Sequence, residues 1–488
     1  MARISLLSLP LAAPARGAAL RGSNLGERLL PWLLPLALFA LWWLASRNHW
    51  MSEQILPPPS LVWSSAVELA GGELWSHLAI SLQRLFWGLL AGIGAGAVLG
   101  ALLGFSARAE RLVFPTFGAL AQVPTLAWIP LFMVFFGIGE PLKLVVLVKA
   151  IVVPVTLHTL VGVRDAQPNL REAARVLRLP THLLIRRLIL PAALPAFMAG
   201  VRLALAAGWT SLLAVELLAS SEGIGYLMVW ARQLFMLDIV FVCIVVIGVL
   251  GVAMDRGIGW LDRTWVHWPH PATAQIRRGP RYHGWQRLQP GLLPLLLLAL
   301  WQVAAVQGWV DANILASPWA VLLTTAHGVL DGSLSGALGK SLARMLGGLL
   351  LGAGLGFALG LWLGLSRRSE RLLGPTLAAL RQIAIFAWVP LLTAWFGLGE
   401  LAKGVFIALA AFFPLFIATQ RSVLNLSPQL SEAAQVLRLG LAQRLQRLVL
   451  PGAAAGIFAG LRLSLIYAWL GTIGAEYFMP SNGGIGSQ

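Results

Sequence analysis

Among the charged residues inside long apolar runs of this 488-residue chain, six are candidates for a site: Lys149, Arg202, Glu216, Arg381, Arg462 and Glu476. A charge facing lipid costs roughly 3 kcal/mol on insertion scales, so each must face protein or a water-filled path. Their chemistry is electrostatic escort. Arg381 or Lys149 can act as countercharge to an anion, with Gln122 or Gln382 as a hydrogen-bonding neighbour. Arg202 and Arg462 follow the Leu-Pro steps at Pro191 and Pro451 by about twelve residues, close to mid-bilayer at about 1.5 Å of rise per residue. Glu216 and Glu476 lie further along the same segments, where pairing with an arginine elsewhere in the bundle competes with a place on the path. The matched tryptophans Trp209 and Trp469 either narrow such a path or pack between helices.

Other chemistries fail on their own requirements. GALGKS, from Gly336, imitates a phosphate-binding loop, but the full motif needs a glycine where Leu334 stands and a strand before it. His267, His270 and His283 sit in a basic stretch where HWPH has a metal-like spacing without cysteine or carboxylate partners, so no metal site is expected. Cys243 is the single cysteine, which excludes an intrachain disulfide. With no nucleophile triad and no paired carboxylates, the chain is not expected to be an enzyme or to hold a cofactor of its own.

The elements that must position the six charges are membrane helices. The chain is 58% hydrophobic and 11% charged, and its apolar runs are long enough for the roughly 30 Å of a hydrocarbon core. Its net charge of +17 does not signal nucleic acid, because the basic residues come in short bursts between apolar segments, where cytoplasmic loops carry them.

Sliding the chain on itself by 260 positions superposes Ser81 to Gly200 on Ser341 to Gly460 without a gap. Arg84 falls on Arg344, Glu140 on Glu400, Arg202 on Arg462 and Glu216 on Glu476, whereas Lys149 falls on Leu409 and Arg381 on Ala121. The first copy has expected spans at 30–46, 84–105, 112–137, 141–162, 190–218 and 237–254; the second has them at 290–307, 344–366, 372–397, 401–420 and 451–479, with no sixth. The expectation is an all-α polytopic membrane protein of about eleven crossings, six and then five. Its parts are an N-terminal tail (1–29), a first repeat (30–262), a basic linker (263–287) and a second repeat (288–488).

Arginine placement orients the spans. Ser106 to Arg111, Gly162 to Arg187 and Asp255 to Arg287 hold two, six and six arginines, against one, Arg47, in the segment from Arg47 to Ile80. The N-terminus is therefore expected in the cytoplasm. An even number of crossings before the second copy makes the repeats parallel, related by an axis along the membrane normal.

One charged cassette recurs in equivalent cytoplasmic loops: EAARVLRLPTHLLIRRLILP from Glu172 and EAAQVLRLGLAQRLQRLVLP from Glu432. Leu170, Ala173, Ala174 and Leu177, like Leu430, Ala433, Ala434 and Leu437, share a helical face. Helices of about three turns are marginal alone in water, so each needs a surface to pack on. Membrane lipid is one candidate and a twofold partner is the other.

The Glu-Ala-Ala cassette ending in Leu-Pro resembles the cytoplasmic loop of permease subunits from binding-protein-dependent ABC importers. VPTLAWIPLFMVFFGIGE from Val123, IFAWVPLLTAWFGLGE from Ile385 and LPAALPAFMAGVRLALAAGW from Leu190 are similar to the aliphatic sulfonate, taurine and nitrate permeases. The resemblance covers the chain from about Leu30 onward, and its motifs occur in order, twice. It implies two type I importer permease repeats in a bacterial inner membrane, passing a small anionic solute delivered by a periplasmic solute-binding protein. It further implies two copies of an ABC ATPase subunit that hold the ATP and magnesium and dock on Glu172, Ala173, Ala174 and Arg178 and on Glu432, Ala433, Ala434 and Arg438. Arg178 and Arg438 stand where that family places a turn glycine, so the turn is expected to shift to Pro180 and Gly440. The competing expectation is a secondary transporter with parallel repeats driven by an ion gradient, whose mid-membrane acidic relay is not apparent here.

Overall fold

The computed structural model describes residues 25–164, 176, 178–266, 289–309, 315–426, 432, 436, 440–480, 483, 484 and 486. Of the expected sites, Glu172, Ala173, Ala174, Ala433, Ala434 and Arg438 lie outside these residues, as do His267, His270 and His283 and most of the N-terminal tail and linker.

In chain order the helices are α1 (Leu25–Arg47), α2 (Pro59–Gly71), α3 (Leu74–Phe105), α4 (Ala107–Gln122), α5 (Ile129–Phe136), α6 (Glu140–Arg164), α7 (Leu190–Ala219), α8 (Ile224–Gln233) and α9 (Leu237–Trp265). The second half repeats the series with α10 (Gln289–Val306), α11 (Pro318–Leu330), α12 (Ser333–Leu365), α13 (Arg367–Gln382), α14 (Val389–Phe396), α15 (Glu400–Leu424) and α16 (Leu450–Phe478). Among the described residues α8 and α9 have no counterpart in the second half.

A glycine seam fixes the direction of the main helices. Gly88, Gly92, Gly96, Gly100 and Gly104 on α3 press against Leu147, Ile151, Val155, Thr159 and Val163 on α6, each step advancing one turn on both helices. The second half repeats the seam from Gly348 to Gly364 against α15. Small residues every fourth position let backbones approach closely in a membrane, where apolar surface alone does not drive association. The register also makes α3 and α6 parallel neighbours, so the chain between them must recross.

That return is the α4–α5 unit, and it is not the continuous span 112–137 expected from hydropathy. It bends by 95° at Val123, with a 3₁₀ turn over Thr125–Trp128; its counterpart bends by 92°. Each unit is a broken crossing rather than a hairpin that re-emerges on its own side. Glu110 at the start of α4 pairs with Arg164 at the end of α6 at 3.3 Å, while Arg84 joins Glu140 at the opposite end. With nine long apolar helices, the two broken crossings bring the described residues to eleven. Pro124 interrupts the first helix, yet Ala384 stands at the second break, so packing also sets the bend. There the Gln382 carbonyl is pressed against Gly251 of α9, and Phe386 packs on Phe406 and Phe478.

The halves are interlocked. α1 lies on α13 and α10 on α4, a reciprocal exchange that suits a twofold relation. Both large buried clusters draw side chains from both halves: Ala384 and Leu391 join Leu147 and Trp209, while Leu126 and Val215 join Phe386 and Phe406.

Candidate functional site

The sequence-expected residues separate into three places. Glu216 and Glu476 are each 1% exposed and wrapped by donors. Ser81 Oγ donates to both Glu216 oxygens at 2.8 and 2.9 Å, Arg84 Nη1 donates at 2.8 Å, and the Gly225 amide at 3.1 Å. Arg84 also bridges to Glu140 through Nε at 2.9 Å and Nη2 at 2.5 Å. Ser341, Arg344, Glu400 and the Gly486 amide reproduce the arrangement around Glu476. A carboxylate with its lone pairs taken up in this way holds α3, α6 and α7 together. Its partner is Arg84, well separated in sequence, and the equal offset of Ser81, Arg84, Glu140 and Glu216 in both copies is the signal that identifies the set. In the second half Gly484 and Gly486 lie against Glu476, as Gly223 and Gly225 do against Glu216. The GALGKS decoy is ordinary helix at the start of α12, and its Ser341 is the serine of this cluster.

The second place is the elbow of the first broken crossing. Lys149 Nζ donates to the Val123 carbonyl at 2.7 Å and to Thr125 Oγ1 at 3.2 Å, 5.8 Å from the centre of the Trp128 ring. The lysine takes up a carbonyl freed by the break, beside the exposed Gln122. Trp209 is buried within the helix core and Trp469 is half-buried, so Trp209 packs between helices.

The third place lies between the halves. Arg202 on α7 meets Asp255 on α9 in a two-pronged pair, Nε to Oδ1 at 2.7 Å and Nη2 to Oδ2 at 2.8 Å. Arg381, at the end of α13, lies within the electrostatic reach of this pair and of Arg421 on α15. Arg202, Arg381 and Arg421 are all exposed. Within a membrane protein such exposure places them on an aqueous surface or at the membrane edge. Gln382 is half-buried beside them, and Arg462 is exposed on α16. Arg421 and Asp255 escape a sequence reading because spans ending at 420 and 254 leave each one residue outside. The criterion that singles out Arg381 applies to Arg421 as well, since its match is Val161.

The described residues of the cassettes lie in the chain between the end of α6 and the start of α7, and between α15 and α16. In the first half Arg178 adopts φ of +48°, so the left-handed turn falls on the arginine itself and not on Pro180 as expected, while Arg438 lies outside the described residues. That conformation costs roughly 1–2 kcal/mol for a residue bearing a Cβ. Beyond it Pro180 caps a short helix, and Ile185–Ile189 form a π turn in which the Leu190 amide reaches the Ile185 carbonyl. Pro191 has no N–H to continue the ordinary ladder, which favours the wider turn. Leu445–Val449 before Pro451 repeats it. Glu432 is exposed, and the matched Val176 and Val436 are 82% and 83% exposed. Among the described residues no group of histidine, cysteine and carboxylate side chains could hold a metal ion.

Comparison with known proteins places the chain in a family. A permease from Bacillus subtilis (strain 168) named for aliphatic sulfonates transport is 38% identical over 237 residues, which is 48% of this chain and 86% of the relative. Its namesake from Escherichia coli (strain K12) is 39% identical over 49% of this chain and 92% of its own length. The taurine transport system permease protein of the same strain is 31% identical over 51% of this chain and 98% of its own length. Each relative thus matches about half of a chain that is itself double. The pattern of the binding-protein-dependent transport system inner membrane component occurs at residues 88–267 and again at 352–488, and the chain belongs to that family of multi-pass importer permeases.

Proposed function

We propose that the two halves enclose one pathway for a small anionic solute of the sulfonate, taurine or nitrate kind, which a periplasmic binding protein delivers and two copies of a separate ATPase subunit drive inward. ATP and magnesium belong to that partner. The N-terminus and both cassettes face the ATPase in the cytoplasm. The working units are a tail at 1–29, a permease half at 30–262, a linker at 263–287 and a second half at 288–488.

The observation that carries the coupling is the exposure of Val176 and Val436, matched apolar side chains on cassettes that lead through a π turn into α7 and α16. A force on Glu172, Ala173, Ala174 and Arg178, or on Glu432, Ala433, Ala434 and Arg438, would be transmitted to those helices. The pathway reading rests on Arg202, Arg381 and Arg421, cations between the halves that outnumber Asp255 and suit an anion. Relatives named for aliphatic sulfonates and for bicarbonate support the anionic class. Coupling is tested with the ATPase-loaded complex in proteoliposomes: Glu172→Ala with Glu432→Ala should abolish solute-stimulated ATP hydrolysis and weaken co-purification of the ATPase. Normal stimulation in that double variant would overturn the assignment.

A further inference from the structure

Three arginines of this bundle grip a carboxylate through the Nε–Nη2 edge of the guanidinium, the fork whose two parallel N–H groups match two oxygens. Arg84 does so on Glu140, Arg344 on Glu400 and Arg202 on Asp255. Arg232 does not. It is half-buried near the end of α8, and its Nη1 donates at 3.1 Å to Thr393 Oγ1 on α14, in the other half. Its Nε and Nη2 have no partner among the described residues. No described carboxylate acts on it from a distance either: burial alone bears on the guanidinium and draws it below the usual arginine range.

Thr393 holds this arginine from a fixed position. It is 8% exposed, and its hydroxyl is directed back at the Val389 and Pro390 carbonyls of α14 at 2.9 and 3.0 Å, which leaves a lone pair for Nη1. With Nη1 tied down the fork is already oriented, so less side-chain freedom is lost when it takes a ligand. The contact also distinguishes the halves. At the 260-residue offset Thr393 falls on Met133, whose thioether is only a weak acceptor.

The pair sits at the end of the bundle away from the cassettes. Leu237, where α9 starts, follows Arg232 closely, and Glu400, where α15 starts and Arg344 is gripped, follows α14. Arg381 and Thr393 stand on the two arms of one broken crossing, joined by the 3₁₀ turn Ile385–Trp388. At about 2.0 Å per residue in that turn and about 1.5 Å in α14, roughly 15 Å of chain path separates them.

We propose that Arg232, positioned by Thr393, is an outer oxyanion site, where two oxygens of a sulfonate, carboxylate or phosphate group lie on Nε and Nη2 before the anion reaches Arg381 and Arg421. The order of the two sites rests on the inward anion pathway proposed above; the binding at Arg232 does not. A soluble anion and a lipid phosphate share this chemistry, and the proposal is for the soluble one.

The test treats the full chain in an uncharged detergent with phenylglyoxal, which modifies arginine side chains, and reads labelling at each arginine by peptide mass. Methanesulfonate should slow labelling of Arg232 about tenfold relative to sodium chloride at the same ionic strength. Thr393→Val releases Nη1 and should raise the half-protecting concentration about fivefold, whereas Thr393→Ser keeps the hydroxyl and should leave it unchanged. Thermal unfolding checks that both variants are folded. Labelling of Arg381 and Arg421 in the same samples reports the inner site. Protection of Arg232 without them would sustain the outer site and remove the inner one; protection of them without Arg232 would overturn the outer site alone. Equal slowing by chloride would reduce the effect to charge screening and overturn the proposal. So would protection by phosphatidylglycerol in mixed micelles but not by methanesulfonate, or protection indifferent to Thr393→Val.

Discussion

Replacing Arg84 by methionine isolates the energetic role of the buried acid cluster. The guanidinium supplies one of the four short contacts to Glu216 and also bridges to Glu140. Glu140 tolerates the loss, because its side chain is 55% exposed and Lys143 Nζ stays 2.7 Å away. Glu216 does not, since its carboxylate would remain buried with only Ser81 and the Gly225 amide as donors. Breaking a buried pair by removing one partner costs about 3–5 kcal/mol. At about 2–4 °C per kcal/mol for a domain of this order, the unfolding midpoint in detergent should fall by roughly 10 °C. Adding Glu216→Met should recover most of that loss, because an apolar pair of similar volume replaces a stranded charge. Arg344→Met should cost less than Arg84→Met, since Arg344 is 10% exposed against 4% for Arg84 and water reaches the vacated site. The assay is thermal unfolding of the purified protein, with solute uptake measured in parallel. A single Arg84→Met variant melting within about 2 °C of the unsubstituted chain would refute the reasoning, as would a double variant as unstable as the sum of its parts.

Three further outcomes follow from named contacts. Gly352→Ala sets a Cβ against the Ala408 backbone and should open the α12–α15 seam at a cost of about 1–3 kcal/mol or more, whereas Gly347→Ala meets open space and should gain about 0.5–1 kcal/mol; thermal unfolding of the two separates close approach from helix propensity. Arg178→Gly relieves the left-handed turn by about 1 kcal/mol, so amide exchange at Leu183 and Leu184 should slow about fivefold. Arg381→Gln should raise the half-saturating solute concentration about tenfold, as expected for loss of a charge-assisted contact, while co-purification with the ATPase stays unchanged; unchanged transport would remove Arg381 from the pathway.

Much of this architecture can be read in the chain itself because the duplication supplies its own control. A residue that keeps its type at a separation of 260 positions, as Arg84 and Glu216 do, is under the same local demand twice. The long helices are legible for the simpler reason that hydropathy sets their length. The bend at Val123 is not legible, because its strength depends on distant contacts: Lys149 at one elbow and the backbone contact with Gly251 at the other. Window averages also blur the ends of spans, and Asp255 and Arg421 fall in that blur. The buried pairing is hidden for a different reason: Arg202 and Glu216 share a helix, but each pairs with a residue brought in by tertiary folding.

Duplication also separates what the two halves share from what they do not. In a pore made from two identical chains every charge is repeated about the axis, and an anion away from that axis leaves a second, identical site empty. Fusion removes the constraint. The acid cluster at Glu216 is kept in both halves because each bundle needs the same clamp, and so is the glycine seam because each needs the same close approach. Arg381 and Arg421 have no charged mates, for their matches are Ala121 and Val161. Both are exposed, on an aqueous surface or at the membrane edge, and these single charges mark where the two halves differ. If the proposed pathway carries an anion, a lone cationic patch between otherwise equivalent halves would give it one place to bind there instead of two, leaving the doubled framework of glycine seam and acid cluster unchanged.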